Sequence, residues 1–508
     1  MNQIRKAINS LTLERLFKIV LFVGIFALAT QASAVADTWW HLASGRYIWQ
    51  TRSVPLHDPF SFTVAGRPWT DVYWLAQLAM YLLYCLAGFG GLNVAVAACA
   101  TAALALLFRQ GAVSPYLKGF VVLLAALTAA PTWVARPHVL SFVLTAAFGY
   151  ILYVYKYEGR NHLWAIPLLF VLWVNVHGGF IVGFILLAGV IGGEALGRLL
   201  GGEDEQGLSW PQIVALVKIT LLSVPLLLLN PQTYRTPLLP FQTVGMGAVR
   251  DLVQEWASPN FHRVELQPFA WMALLLLAAV GISARRASYT DLLLTSVFFY
   301  MGLLAWRNVA LFALVAAPVL MRHGAMALDV LRQVLRERTG LGPLLARAAT
   351  GGKRLAVVNW LVLLPVLVAA GVKVSLPLGP RLNRELEERA MPARAVRFVR
   401  ENNPPGPLFN NYDWGGYIIW KLWPDYPVFI DGRTDLYDGP FIREYIDAVG
   451  GGEEWESLLD RYGVNLVFIE AGSPLATFLA EEPGWRQIYL DEQAALFSRD
   501  APVGGGGS

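Results

Sequence analysis

Residues 36–49 read ADTWWHLASGRYIW. They follow an apolar run at 16–35 that is long enough to cross a bilayer, about 20 residues being the usual requirement. An acid, two tryptophans and a histidine therefore stand where the chain leaves the lipid. The rest of the chain decides whether this stretch is an interfacial anchor or part of a site.

Of 508 residues, 56% are hydrophobic and 15% are charged. Soluble domains carry about 25% charged residues, so this much apolar surface must face lipid as well as a core. The class is a polytopic α-helical membrane protein. Two cysteines, Cys85 and Cys99, lie in or beside apolar segments, which excludes a disulfide scaffold and leaves the redox compartment open. Nothing in the charge pattern points to nucleic acid. The terminal VGGGGS reads as a linker, so 503–508 are set aside from fold reasoning.

Apolar runs recur near 91–108, 119–134, 139–155, 163–176, 178–197, 212–229, 268–284, 289–305, 308–321 and 356–374. With the first they make about eleven transmembrane helices. If the N-terminus is cytoplasmic, every inside loop carries basic residues: Arg109 and Lys118, Lys156 and Arg160, Arg198, Arg285 and Arg286, then the arginine-rich stretch 322–354. That is the positive-inside pattern. It predicts a multi-pass protein of the cytoplasmic (inner) membrane with its C-terminal segment extracytoplasmic. The organisation expected is a membrane domain over 1–375 and an extracytoplasmic α/β domain over 376–502. PLFNN, YPVFID, NLVFIE, WRQIYLD and AALFSRD read as its strands, with GGYIIWKLW and SPLATFLAEE as helices between them. The segment 380–402 reads as one surface helix.

On this topology five of seven histidines are outside: His41, His57, His138, His177 and His262. Arg136, Arg235 and Arg307 lie at helix ends on the same side, with Asp37, Asp58, Asp71, Asp251 and Glu255. Polar groups at membrane depth are costly and mark function. Here they gather at one face and not along a path through the bilayer, which favours a surface site over a transport route. Arginines hold phosphate through forked hydrogen bonds. Carboxylates and histidines bind a divalent ion or take a proton from a hydroxyl. Together they suit transfer from a lipid-linked phosphate donor to a polar acceptor.

Each residue also has a plainer reading. Asp37 can cap a helix, Asp58 can make the turn before Pro59, and Arg136, His138 and Arg307 can snorkel at helix ends. His177 precedes Gly178 and Gly179 in what can be an ordinary tight turn, and Trp39 and Trp40 can be anchors or packing. In DGRTDLYDG (431–439) the acids lack a calcium-loop pattern and read as a loop after a strand. Such a loop can still bring Arg433 to an acceptor.

An acidic first outer loop on a polytopic domain, followed by a C-terminal α/β domain, resembles the GT-C superfamily of integral-membrane glycosyltransferases. DTWWHLASGRYIW, PLHDPFSFTVAGRPW, RPH, WVNVHGGF, NPQTYR and EWASP are similar to segments of uncharacterised bacterial members. NYDWGGYI at 411–418 is more distantly similar to the W-W-D-Y-G motif of the oligosaccharyltransferase catalytic subunit, with Tyr412, Asp413 and Trp414 matching in type and Asn411 replacing the first tryptophan. The resemblance implies an inverting transfer from a polyprenyl-phosphate or polyprenyl-diphosphate sugar to a glycan, lipid or protein acceptor on the outer side of the membrane. It carries the family's key acid onto Asp37, and the residues beside it make His41 and Asp58 the further catalytic candidates. It implies substrate contacts from Arg136, His138, His177, Arg235, Glu255, Arg307, Tyr412, Asp413, Trp414 and Arg433. A divalent cation, Mg or Mn, on Asp37, Asp58 and Glu255 is the cofactor it suggests. The alternative is a non-catalytic membrane scaffold whose outer domain binds a partner. Convergence of Asp37, His41, Arg136, His177 and Arg307 separates the two, since a scaffold predicts dispersed positions.

Overall fold

The structure is a computed structural model, and it describes residues 11–32, 35–201, 206–244, 254–339 and 355–500. Asp251, residues 340–354 of the basic stretch 322–354 and the terminal 503–508 lie outside the described residues.

A helix covers each of the eleven apolar runs. They are α1 (Leu13–Ala29), α3 (Trp74–Phe108), α4 (Pro115–Ala129), α5 (His138–Tyr157), α6 (Ala165–Val176), α7 (Ile181–Leu199), α8 (Trp210–Leu226), α10 (Gln267–Ile282), α11 (Tyr289–Leu304), α12 (Val309–Thr339) and α13 (Leu355–Leu378). Among the described residues, 7 helices are long and apolar enough to cross a membrane, and three further apolar helices are shorter. The chain is a multi-pass membrane protein.

Two helices outside that set carry the architecture of the site end. Helix α2 (Ala36–Thr51) is the opening stretch itself, and α9 (Arg235–Val244) follows NPQTYR. The amphipathic WLAQLAMYLLY, ahead of the apolar run at 91–108, begins α3. Gly88, at φ 58°, breaks that helix. A side chain rarely adopts this left-handed backbone, so glycine permits the bend. Before the break α3 packs on α2; after it the helix joins the apolar bundle core.

The segment 380–402 forms two helices, α14 (Pro380–Ala390) and α15 (Ala393–Asn402), because Pro392 interrupts what was read as one. Beyond them stands a four-stranded sheet of β1 (Leu408–Asn410), β2 (Leu466–Glu470), β3 (Trp485–Leu490) and β4 (Ala494–Arg499), in the order β1-β2-β4-β3. β1 and β2 are parallel, with Phe409 opposite Val467; β4 is antiparallel to both its neighbours. Four helices complete the domain: α16 (Gly415–Leu422), α17 (Gly439–Val449), α18 (Trp455–Arg461) and α19 (Pro474–Glu481).

YPVFID is not a strand of this sheet. Its Val428 bridges in parallel to Ser61 of the first loop. The Val428 N–H donates to the Phe60 carbonyl at 3.0 Å, and the Phe62 N–H donates to the Val428 carbonyl at 3.1 Å. Both backbone groups of Val428 are thus satisfied by a segment from the far end of the sequence, while the Phe429 N–H donates to the Asn410 side chain at 2.8 Å.

That seam is continuous with the core. Trp39, Trp40, Ala43, Phe60 and Trp69 belong to the same buried cluster as the sheet and its helices. Trp39 is 1% exposed, and its ring stands edge-on to Tyr417 at 4.8 Å. Full burial of a large apolar side chain contributes roughly 1.5–3 kcal/mol. The tryptophans are packing residues and not interfacial anchors, and they fasten the C-terminal domain to α2.

Candidate active site

Asp37 lies in the first turn of α2 and its side chain caps nothing; the N-cap residue is Val35, which makes no side-chain cap bond. The plain capping reading of Asp37 is therefore not the one the chain adopts. Its two oxygens face different partners. Oδ2 pairs with Nη2 of Arg136 at 2.9 Å, and Oδ1 accepts the Trp40 indole N–H at 3.1 Å. The pairing with Arg136 is built by a neighbouring bond: the Thr38 hydroxyl donates to the Ala135 carbonyl at 3.0 Å, one residue along each chain. Thr38 is fully buried, so this bond fixes the register of α2 against ARPH.

The other Arg136 nitrogen, Nη1, pairs with Glu255. Arg136 thus lies between two carboxylates. Burial alone would lower its affinity for a proton, but Asp37 and then Glu255 raise it. For Glu255, burial pulls the pKa up while Arg136, then Arg307 and His138, pull it down below the usual value. The Trp306 N–H donates to the Ala257 carbonyl at 3.0 Å, and that bond holds EWA beside WRN. Arg307 lies over the Trp256 ring at 5.0 Å. Among the described residues it has no hydrogen bond or ion pair of its own. A guanidinium with unused donors beside a satisfied one is the feature of a site that receives an anion.

Three histidines flank these charges. The His41 ring stacks on Trp40 at 3.6 Å and meets Tyr73 at 5.2 Å, and Tyr73 meets His177 at 5.5 Å. The Gln77 amide lies 3.3 Å from His41 Nδ1. The Gly179 N–H donates to His177 Nδ1 at 2.8 Å, so that nitrogen is an acceptor and Nε2 carries the proton. Ser141 adds a second contact to Nδ1 at 2.8 Å and itself accepts from Trp173. Burial first, then the surrounding cations, holds His41 and His177 well below the ordinary imidazole range. Both are neutral near pH 7. His138 Nε2 lies 2.5 Å from the Thr132 carbonyl and so carries its proton there; its Nδ1 is buried without a partner among the described residues.

The C-terminal domain closes the other side. Ala36, Asp37, Trp40, Tyr412, Asp413, Gly416 and Gly432 line a small, tight pocket. Two glycines let the domain approach. A Cβ on Gly432 would lie 2.4 Å from Asp37 Oδ1, and one on Gly416 would lie 2.9 Å from the Ala36 carbonyl.

The sequence-derived candidates divide accordingly. Asp37, His41, Arg136, His138, His177, Glu255 and Arg307 come together, and Tyr412 and Asp413 join them at the pocket. Trp414 is 6% exposed and packs on Phe468, inside the domain core. Arg235 starts α9 and forms no ion pair among the described residues, while His57 and His262 are exposed. Asp58 and Arg433 meet each other and not the pocket. Arg433 Nη1 pairs with Asp58 Oδ1 at 2.6 Å, Nη2 with Asp431 Oδ2 at 2.6 Å, and Nε donates to Asp431 Oδ1 at 2.8 Å. Both side chains of the Arg433–Asp58 pair are 0% exposed. Asp58 also accepts from the Phe60 and Ser61 N–H groups at 3.0 and 3.1 Å.

The suggested ligand set of Asp37, Asp58 and Glu255 is therefore not assembled. Asp58 is occupied by Arg433, and the other two share Arg136. Among the described residues no three His, Cys, Asp or Glu side chains converge in a metal-binding arrangement. Tyr73, Thr38, Ser141 and Gly432 were not singled out from sequence. DVYW, at the start of the helix that packs on α2, is the signal that could have pointed to Tyr73.

No protein-family model matches the chain, and no curated protein matches it. Solved structures do. The archaeal oligosaccharyltransferase AglB from Archaeoglobus fulgidus, in complex with an inhibitory peptide and a dolichol-phosphate, aligns at 12% identity with a TM-score of 0.54, over 90% of this chain and 69% of that one. The Archaeoglobus fulgidus oligosaccharyltransferase tethered to an acceptor peptide containing the NVT sequon aligns at 13% and 0.51, over 89% and 69%. ArnT from Cupriavidus metallidurans bound to undecaprenyl phosphate aligns at 14% and 0.49, over 96% and 98%. At such identities the likeness to the two oligosaccharyltransferase structures is one of fold.

Proposed function

We propose that this chain transfers a sugar from a polyprenyl-phosphate or polyprenyl-diphosphate donor to an acceptor hydroxyl, at the extracytoplasmic face of the cytoplasmic membrane. One observation carries the reading. A carboxylate oriented by two N–H donors, Asp37, lines a pocket on one side and reaches, through Arg136, toward an arginine whose donors are unused among the described residues. Dispersed positions, the mark of a scaffold, are not what the residues adopt.

The step is a single displacement at the anomeric carbon. The acceptor sits in the pocket with Tyr412 and Asp413, and Asp37 takes its hydroxyl proton. The acceptor oxygen bonds to the anomeric carbon as the bond from that carbon to the phosphate oxygen breaks, inverting the centre. Negative charge then grows on the departing lipid phosphate. Arg307 and the Nε2–H of His177 are fixed donors able to meet it, so little reorganisation accompanies the transition state. His41, stacked under Trp40, holds the indole that orients Asp37.

The test begins with mass spectrometry of lipid co-purified with the protein, followed by a transfer assay using that lipid as donor. A polyprenyl phosphate species should be found. Asp37→Asn should abolish transfer with the fold intact, and Arg307→Ala should weaken both lipid retention and turnover. Absence of any polyprenyl species, or full activity in Asp37→Asn, refutes the assignment.

A further inference from the structure

We infer that Arg136 takes the place a divalent cation would hold between Asp37 and Glu255, so that the site runs on a built-in organic cation and has no resident metal. The inference rests on the transfer reading for its purpose, but its geometry stands independently. Asp37 comes from α2 and Glu255 from the turn Gln254–Trp256. These two acids, far apart in sequence, meet on separate nitrogens of one guanidinium.

A guanidinium and a metal ion satisfy such a pair differently. The planar fork presents N–H groups in fixed directions and stays charged at any working pH. A magnesium or manganese ion needs the carboxylate lone pairs free and usually keeps several waters. Here each Asp37 oxygen already spends one lone pair on a donor, Oδ1 on Trp40 and Oδ2 on Arg136, which leaves room for a single hydroxyl proton but no two-oxygen seat for a metal. The third carboxylate that a metal reading needs, Asp58, is sealed in the Arg433 cluster. Charge points the same way. Asp37 and Glu255 are balanced by Arg136 and Arg307, and an added dication would face both arginines at close range.

Arg136 is therefore a positioning residue. It aims Asp37 at the pocket and holds Glu255 beside Arg307. The cation that elsewhere would have to be captured from solution is here encoded in the chain.

Manganese alone, added to chelator-treated full-length protein in detergent, tests this without donor or acceptor. Loss of the free-ion EPR signal counts bound Mn²⁺. The wild-type protein should show no saturable site below millimolar concentration. Arg136→Ala should gain one, at least tenfold tighter than any wild-type binding, and Glu255→Gln added to it should remove that site again. Arg136→Lys, which keeps a cation, should stay silent. A wild-type protein that binds one Mn²⁺, lost on Glu255→Gln, overturns the inference, and that arm requires no change at Arg136. An Arg136→Ala protein that folds and gains no site overturns it too. Transfer assayed with and without chelator separates the two readings. No transfer in either buffer strikes the proposed function and leaves the cation assignment standing, whereas transfer that only Mn²⁺ or Mg²⁺ restores strikes the cation assignment.

Discussion

Replacing Arg433 with methionine should open the seam between the first loop and the C-terminal domain. Arg433 is 1% exposed and its guanidinium lies 5.0 Å from the Phe60 ring and 4.8 Å from the Trp69 ring. It is the cation that pairs with both Asp58 and Asp431. Methionine fills much of the volume but leaves two buried carboxylates facing each other. Removing one partner of a buried pair costs about 3–5 kcal/mol, because the remaining charge is uncompensated. At about 1.4 kcal/mol per factor of ten, the open population should rise roughly 10²- to 4 × 10³-fold. Hydrogen exchange reads this at the amides of Phe62 and Val428, whose bonds to Val428 and Phe60 close the seam. Asp58→Asn should do less, about 1–3 kcal/mol, because Arg433 keeps its two-point contact with Asp431. Arg67→Ala is the control. Its 3.7 Å contact with Asp438 is about half exposed on both sides and should contribute under about 1 kcal/mol. An Arg433→Met protein in which those two amides exchange less than tenfold faster would refute the view that this cluster holds the domain down.

Two further outcomes concern the pocket and its surroundings. Gly432→Ala should lower transfer about 10²-fold, since the added carbon must displace Asp37 and a misplacement near 1 Å carries that cost; Gly24→Ala, in α1 with nothing within 4 Å, should leave turnover unchanged. Asp71 is buried with Oδ2 unpartnered among the described residues, and burial, with repulsion from Asp435 and opposed by Arg433, pushes its pKa up to about 7. The folded protein then keeps a proton that the unfolded chain loses from about pH 4 upward, so stability falls as pH rises to about 7 and is level above. Asp71→Asn should flatten that slope and raise stability at pH 8 by about 1–4 kcal/mol, read as denaturation midpoints at pH 5 and pH 8.

The helices were legible because an apolar run of bilayer length admits few other structures in lipid, where each backbone group needs an internal partner. The strands at 408–410, 466–470, 485–490 and 494–499 were legible from short apolar runs. YPVFID was not, because its apolar run looks like a strand and its partner is a loop far away in sequence; pattern shows what a segment is willing to do and not what it meets. The same limit explains Asp58 and Arg433. A charged residue in a loop has the same letter whether it faces a ligand or an opposite charge. Asp37, Arg136, His177 and Arg307 were found because they sit at helix ends on one side of a membrane, where unpaired polarity is costly. That Arg136 lies between two acids could not be read from spacing, since it is fixed by the Thr38 hydroxyl on the Ala135 carbonyl and by the Trp306 N–H on the Ala257 carbonyl.

Helix α2 explains why these features occur together. Its Leu42 is buried in the core of the membrane bundle, while Trp39, Trp40 and Ala43 are buried in the core of the C-terminal domain. One turn of helix thus belongs to both bodies. Asp37 lies one turn before, with Trp40 and His41 at the i+3 and i+4 positions that put them over the same face. Arg136 and Arg307 stand on the bundle, and Tyr412, Asp413 and Gly432 stand on the domain. On the proposed mechanism, a base that touches an acceptor on one body while its counter-charge stands on the other has to sit on the element common to both, and α2 is that element. Loosening the Arg433 seam should therefore reach the chemistry: the walls on the domain would drift from Asp37 while its bond to Arg136 stayed, and turnover would fall with lipid retention unchanged. If Arg433→Met lost lipid retention and turnover together, donor and acceptor sides would not be divided between the two bodies as this arrangement requires.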